Sequence, residues 1–168
     1  MLADDYGTPV VYSGYAFTDR DAGPTQDTQP DREGRALPWS CNGVSGPKDS
    51  YADGEGVCTE AWTAIAGLLE LRRSAGDAPR LAGVSDGDVY GYERDERALL
   101  LVNPSGEDAD ATVSAGLPDG EYCDVVSGGA GAASASGCAG ATVTVSGGDL
   151  ATTVPAEGAV ALHVGARR

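Results

Sequence analysis

The chain is poor in the residues that most chemistry needs. Its 168 residues hold one lysine, Lys48, one histidine, His163, and one phenylalanine, Phe17. Lys and Arg together number 11 against 26 Asp and Glu, for a net charge of −15. A surface that negative repels nucleic acid and anionic membranes, so neither is expected as a partner. No stretch approaches the ~18 continuous apolar residues of a membrane span. The opening residues have neither the basic start nor the ~7–15-residue apolar run of a secretory signal. A Walker loop, GxGxxG and HExxH are all missing. With one histidine, a cysteine nucleophile has no ready base and a Cys/His zinc site is not expected. His163 falls in an alternating segment and reads as a strand residue rather than a base. Local chemistry alone names no reaction and no catalytic residue.

The residues that are present say more about architecture. Cys41, Cys58, Cys123 and Cys138 permit three pairings. Two local bridges, Cys41–Cys58 and Cys123–Cys138, are the simplest reading. Each closes a loop of about 15 residues and contributes ~3 kcal/mol in the chain-entropy picture. Such bridges imply an oxidising, extracellular setting.

Residues 8–13, TPVVYS, read as a short buried strand after a Gly-Thr-Pro turn. Residues 19–57 are rich in Asp, Gly, Pro and Ser and show no sustained period. A loop that long is usually functional or pinned, here in its second half by Cys41–Cys58. Asp19, Asp21 and the acidic ADGEG at 52–56 invite a calcium reading, but the spacing matches no EF-hand and solvated loop is the simpler account. Trp39, beside Pro38, and Tyr6, Tyr12, Tyr15 and Tyr122 are either sugar-stacking rings or packing residues. CTEAWTAIAGLLELRRSAG predicts a helix from an N-cap at Thr59 to a stop at Gly76. Its apolar face is Trp62, Ile65, Ala66 and Leu69, and Arg72 and Arg73 suit its last turn. Short strands then follow at 87–93, 97–103, 110–115, 120–127, 140–146, 150–154 and 158–164. In the last, Val160, Leu162 and Val164 share one face, and Ala159, Ala161 and His163 the other. GGAGAASASG at 128–137 reads as a flexible loop. Strands so short and so evenly spaced suggest an antiparallel sandwich or barrel of Greek-key type.

Several of these stretches together resemble the secreted α-amylases of glycoside hydrolase family 13, in the animal-type group found also in bacteria. MLADDYGTPVVYSGYAF is similar to that family's segment leading into the eighth barrel strand, and CTEAWTAIAGLLELRRSAG to its eighth barrel helix. RDERALLLVNPSGED resembles the first hairpin of the C-terminal domain. LPDGEYCDVVSG, residues 117–128, is the closest match, and GCAGATVTVSGGD and EGAVALHVGARR are similar to the closing strands.

The resemblance implies a mainly β chain of two parts. Residues 1–78 would be the last strand, loop and helix of an incomplete (β/α)₈ barrel, with Met1 lying inside a larger protein. Residues 79–168 would be the all-β domain C. It implies an enzyme cleaving internal α-1,4-glucosidic bonds of starch or glycogen with retention, acting as a monomer on α-glucan. Such enzymes need two carboxylates ~5–5.5 Å apart, from strands that precede this segment, so the isolated chain is expected to be inactive. The calcium ligands likewise lie upstream. Chloride-activated members carry a basic ligand where this chain has Val10, so chloride is not expected. Asp5 replaces a proline of the family pattern. Two other readings compete: a stand-alone carbohydrate-binding sandwich, which would have only Tyr90, Tyr92 and Tyr122 as rings, and a small disulfide-held inhibitor.

Overall fold

The computed structural model describes residues 1–21, 23–26, 29–37 and 51–168, arranged in two units: Met1–Pro9 with Thr63–Arg168, and Val10–Trp62. In the second unit, β1 (Gly14–Tyr15) pairs antiparallel with β2 (Gly56–Val57), Gly14 opposite Val57. Ala16 N–H donates to Glu55 C=O at 2.9 Å and Gly54 N–H to Ala16 C=O at 2.7 Å, which extends the pairing. A 3₁₀ turn follows at Thr59–Ala61.

Residues 8–13, expected as a barrel strand, form none. A barrel strand takes its hydrogen bonds from strands on either side, and no described strand runs beside this one. The helix also begins later than expected. Trp62 is extended, with ψ 134°, so Thr59 starts only the 3₁₀ turn and α1 runs from Thr63 to Ala75. Its end agrees with expectation: Gly76, at φ +56°, turns the chain out of the helix, and its N–H donates to Arg72 C=O at 3.0 Å.

The remaining elements are β3 (Arg80–Asp86), β4 (Val89–Arg94), β5 (Ala98–Asn103), β6 (Ala109–Ser114), β7 (Gly120–Cys123), α2 (Val125–Gly128), β8 (Ala133–Ser134), β9 (Gly137–Cys138), β10 (Thr142–Ser146), β11 (Asp149–Val154) and β12 (Gly158–His163). Two four-stranded antiparallel sheets carry the fold, ordered β6-β11-β10-β7 and β12-β5-β4-β3. In the first, β7, β10 and β11 are consecutive neighbours and β6 returns beside β11, a Greek key. β3 escaped the sequence pattern because neither face is buried; it is an exposed edge whose register with β4 slips between Arg80 and Gly83. The expected strand 120–127 ends at Cys123, where Asp124 caps α2. The loop at 128–137 is partly ordered into a hairpin, Ala133 opposite Cys138 and Ser134 opposite Gly137.

Alternation along the strands assigns the packing. Val89, Leu99, Leu101, Val113, Tyr122, Val143, Val145, Leu150, Val160 and Leu162 fill the space between the sheets. The outer face of β12 is buried too: Ala161 and His163 are about as inaccessible as Val160 and Leu162. There a second cluster of Leu71, Ala75, Ala98, Cys123, Val125 and Ala161 joins α1 to the sandwich. The helix presents Gly67, Leu71 and Ala75 to this cluster, whereas Ile65, Ala66 and Leu69, part of the face expected to pack, are only half-buried. α1 therefore carries two adjacent apolar stripes, one of them covered.

Close approach explains the small residues. A Cβ on Gly67 would lie 1.8 Å from the carbonyl oxygen of Val125. The Cys123–Cys138 bridge holds the strand before α2, with Cα atoms 5.2 Å apart. Beside it, Asp124 is 2% exposed and its carboxylate accepts from Val126 N–H and Ser127 N–H at 3.0 Å and from Ala161 N–H at 2.9 Å. β12 is an edge strand, so that last amide would otherwise face outward unpaired.

The first residues are tied to the same unit by arginines. Arg94, 2% exposed, donates to the carbonyls of Ala78, Ala3 and Gly76 at 2.6, 3.0 and 2.8 Å. Arg72 donates to those of Asp4 and Gly7. Asp5 accepts from Arg80 N–H at 2.8 Å, a structural use for the residue that departs from the family pattern.

Gly67→Ala should lower the thermal midpoint although alanine is the better helix former, because the clash costs more than the ~1 kcal/mol gained in propensity. Asp124→Ala should cost about 3 kcal/mol or more by orphaning buried amides. Urea melts of both variants check this, and a Gly67→Ala chain as stable as wild type would contradict the close approach.

Candidate functional site

The residues singled out by the sequence do not converge. His163 is 1% exposed beneath α1; its Nδ1 accepts from Gly165 N–H at 3.1 Å, and its Nε2 has no hydrogen-bond partner in the structure. Burial holds the imidazole below its ordinary value of 6.5, against an opposing pull from Glu70. A buried, neutral histidine without access to solvent is a packing residue, as its strand position suggested.

The acidic loop residues serve local turns. Asp19 accepts from Asp21 N–H at 2.9 Å, and Asp53 from the Thr18 hydroxyl at 2.8 Å. Among the described residues no three His, Cys, Asp or Glu side chains gather as a metal would require. Val10 is 75% exposed. Cys58 is disulfide-bonded, but Cys41 and Trp39 lie outside the described residues.

The tyrosines separate by unit. Tyr122 is fully buried and donates to Pro118 C=O at 2.6 Å. Tyr92 lies beneath the Arg80 guanidinium, 4.2 Å from its ring centre. Only Tyr90 of the sandwich is a freely exposed ring, so the sandwich offers no aromatic platform.

Rings do meet in Val10–Trp62. Tyr12, Tyr15, Phe17 and Tyr51 line a cavity of about 760 Å³ together with Thr18 and Asp53. The β1–β2 pairing brings the two chain segments side by side, and the Thr18–Asp53 bond closes its far end. Trp62 Nε1–H donates to the Tyr51 hydroxyl at 3.0 Å, which fixes that ring. Tyr12 is 80% exposed and Phe17 49%. Phe17 and Tyr51 were not marked in the sequence; their only signal was their concentration in a segment otherwise poor in large apolar residues.

A second cavity, of about 900 Å³, lies in the other unit between the first residues and the end of α1, lined by Asp5, Pro9, Leu69, Arg72, Asp77 and Arg94. Arg72 and Arg94 already give their N–H groups to backbone carbonyls, so this cavity holds no uncommitted charge from them.

Because the unfolded chain protonates His163 more readily than the folded one, stability should fall as pH drops below about 6.5 and be steady above it. Urea melts between pH 5.5 and 7.5 check this; His163→Asn, which keeps an acceptor for Gly165, should abolish the slope.

Comparison with known proteins matches this architecture to one group. Residues 84–165 match the model of the α-amylase C-terminal all-β domain. The α-amylase of Thermomonospora curvata is 34% identical over 167 residues, covering 98% of this chain and 24% of that protein. That of the beetle Tenebrio molitor is 29% identical over 172 residues, covering 99% of this chain and 34% of the relative. The crystal structure of α-amylase I from the earthworm Eisenia fetida superposes with a TM-score of 0.65 at 26% identity, over 97% of this chain and 33% of that one. The chain thus spans a quarter to a third of the length of these relatives. Its two four-stranded antiparallel sheets thus match the α-amylase C-terminal all-β domain over residues 84–165, and the chain is similar to these α-amylases along nearly all its residues.

Proposed function

We propose that this chain is the C-terminal part of a secreted α-amylase that hydrolyses internal α-1,4-glucosidic bonds of starch or glycogen with retention. Residues 1–78 are then the last barrel segment and residues 79–168 domain C. The observation that carries the proposal is the pair of stripes on α1. Gly67, Leu71 and Ala75 pack on the sandwich, and the adjacent Ile65, Ala66 and Leu69 stay partly open. A helix with apolar residues on two faces is built to sit between two bodies, as the last helix of a barrel does when another domain is appended.

The matches along 98–99% of this chain support the same reading, because they include the strand–loop–helix segment as well as the all-β domain. A solved E. fetida complex with maltohexaose supports α-glucan as the substrate class. The Cys123–Cys138 bridge supports an oxidising, extracellular setting.

Retention demands a nucleophile and an acid/base carboxylate on opposite sides of the glycosidic bond. In a (β/α)₈ enzyme those come from the C-terminal ends of several strands. This chain would supply the last of them and the buttress behind it, and no carboxylate pair of its own. Domain C then acts by burial: it keeps α1, and through it the barrel edge, in place.

The purified chain should release no reducing sugar from soluble starch above a blank. When it replaces its counterpart segment in the T. curvata α-amylase, the chimera should hydrolyse starch, whereas that relative lacking the segment should not. A folded but inactive chimera would overturn the proposal.

A further inference from the structure

We infer that His163 is a pH-operated release for α1: protonation of its imidazole undocks the helix from the sandwich while the two sheets stay folded. The inference concerns the junction of helix and sandwich alone and does not depend on the reaction proposed above.

The junction has no place for a second proton on the ring. His163 is 1% exposed on the outer face of β12, beneath α1. Nδ1 accepts from Gly165 N–H at 3.1 Å, which assigns the neutral ring's own proton to Nε2. That Nε2 is buried and has no hydrogen-bond partner among the described residues. A proton taken up from solvent binds Nδ1, so the imidazolium N–H then faces the Gly165 N–H and that hydrogen bond is lost. The folded junction would then hold a buried charge and two buried N–H groups without an acceptor. The ring regains acceptors by reaching water, and one of its walls has to move.

The wall that yields is α1. β12 is paired with β5 along its length, from Gly158 opposite Asn103 to His163 opposite Ala98. The turn after β12 is pinned as well: Val164 N–H donates to Arg97 C=O at 3.0 Å, and Arg168 N–H to Glu121 C=O at 2.8 Å. By contrast, α1 rests on the sandwich through a cluster of mostly small side chains, Ala75 on the helix and Ala98 and Ala161 beneath it. Helices held by few large contacts open locally before the core does.

The charges around the ring do not rescue the imidazolium. From α1, Glu70 favours it, but burial outweighs that pull, and the Glu70 carboxylate already accepts from Gly131 N–H. Arg97, just before β5, is cationic and donates to Ser74 C=O at 2.9 Å. Asp124, on the α2 side, is turned to Ala161 N–H and to the cap of α2. A Cβ on Gly165 would lie 3.1 Å from the imidazole and 3.3 Å from Ser74 Oγ, so the ring, the turn and α1 meet without spare room.

Undocking therefore takes up one proton. The undocked population should rise as pH falls below the ordinary histidine value of 6.5, by up to about tenfold per pH unit, until the docked ring itself protonates. The test is amide hydrogen exchange on the 168-residue chain between pH 7.5 and 5.5, corrected for intrinsic exchange rates. Protection of Thr63–Ala75 should fall about tenfold over this range, and that of β5, β10 and β11 should hold. His163→Asn keeps an acceptor for Gly165 and takes no proton, so its α1 protection should stay level. Glu70→Gln removes the opposing charge and should carry the loss to lower pH. His163 is the only histidine, so its Cε1 proton is a single NMR signal, which should titrate below 6.5 in step with α1 opening and needs no variant. Protection lost equally from α1 and the strands overturns the inference. So does α1 protection that is level in the wild type, or that still falls in His163→Asn. None of these outcomes bears on the amylase reading, and an inactive chimera does not bear on this one.

Discussion

The structure depends on the carboxylate of Asp124. It sits where β7 ends, on the edge of one sheet, and reaches the outward-facing amide of Ala161 on β12, the edge of the other. The same two oxygens cap α2 by accepting from Val126 and Ser127. One charged group thus joins two sheet edges and orients a four-residue helical turn. The seam continues past it: Tyr122 bridges to Arg167, and Arg168 N–H donates to Glu121 C=O at 2.8 Å. A carboxylate is costly to bury without partners, and here several N–H groups supply them.

What that seam positions is a helix. Because α2 is held in place, its Val125 carbonyl presents a flat backbone surface, and Gly67 lets α1 come down onto it. The outer face of β12 is correspondingly made of small side chains and one imidazole, Ala159, Ala161 and His163. The sandwich therefore has one face built for a helix, and that helix has a second stripe still partly open. An all-β domain with such a face is a buttress by construction. Its stability and the placement of α1 are the same problem, which is why Asp124, Cys123 and Gly67 lie within one packed cluster or against it.

The aromatic residues follow a different logic. The sandwich is built from Val, Leu and Ala, with one buried Tyr, and presents a surface dominated by acidic groups. Among the described residues the exposed rings are split between the units, Tyr12 and Phe17 in Val10–Trp62 and Tyr6 and Tyr90 in the other.

Much of the fold was legible in the residues. Alternation along Val160–Leu162–Val164, turn residues at regular intervals and the LPDGEYCDVVSG motif placed all the strands that have a buried face, and Arg72–Arg73–Gly76 placed the end of α1. β3 was not legible, because an exposed edge leaves no apolar period. Residues 8–13 carried a strand's composition without a strand's neighbours, and a ladder cannot form from composition alone. The candidate site was less legible still. Phe17, Tyr51 and Asp53 are separated by more than thirty positions along part of the chain, and only the β1–β2 pairing brings them to one cavity. Sequence by itself determined which residues are apolar, where the chain turns and which family it resembles, since these are local properties. Tertiary structure alone decided which stripe of α1 is covered, which amide Asp124 satisfies and which rings share a cavity, because each depends on contacts between residues far apart in the chain.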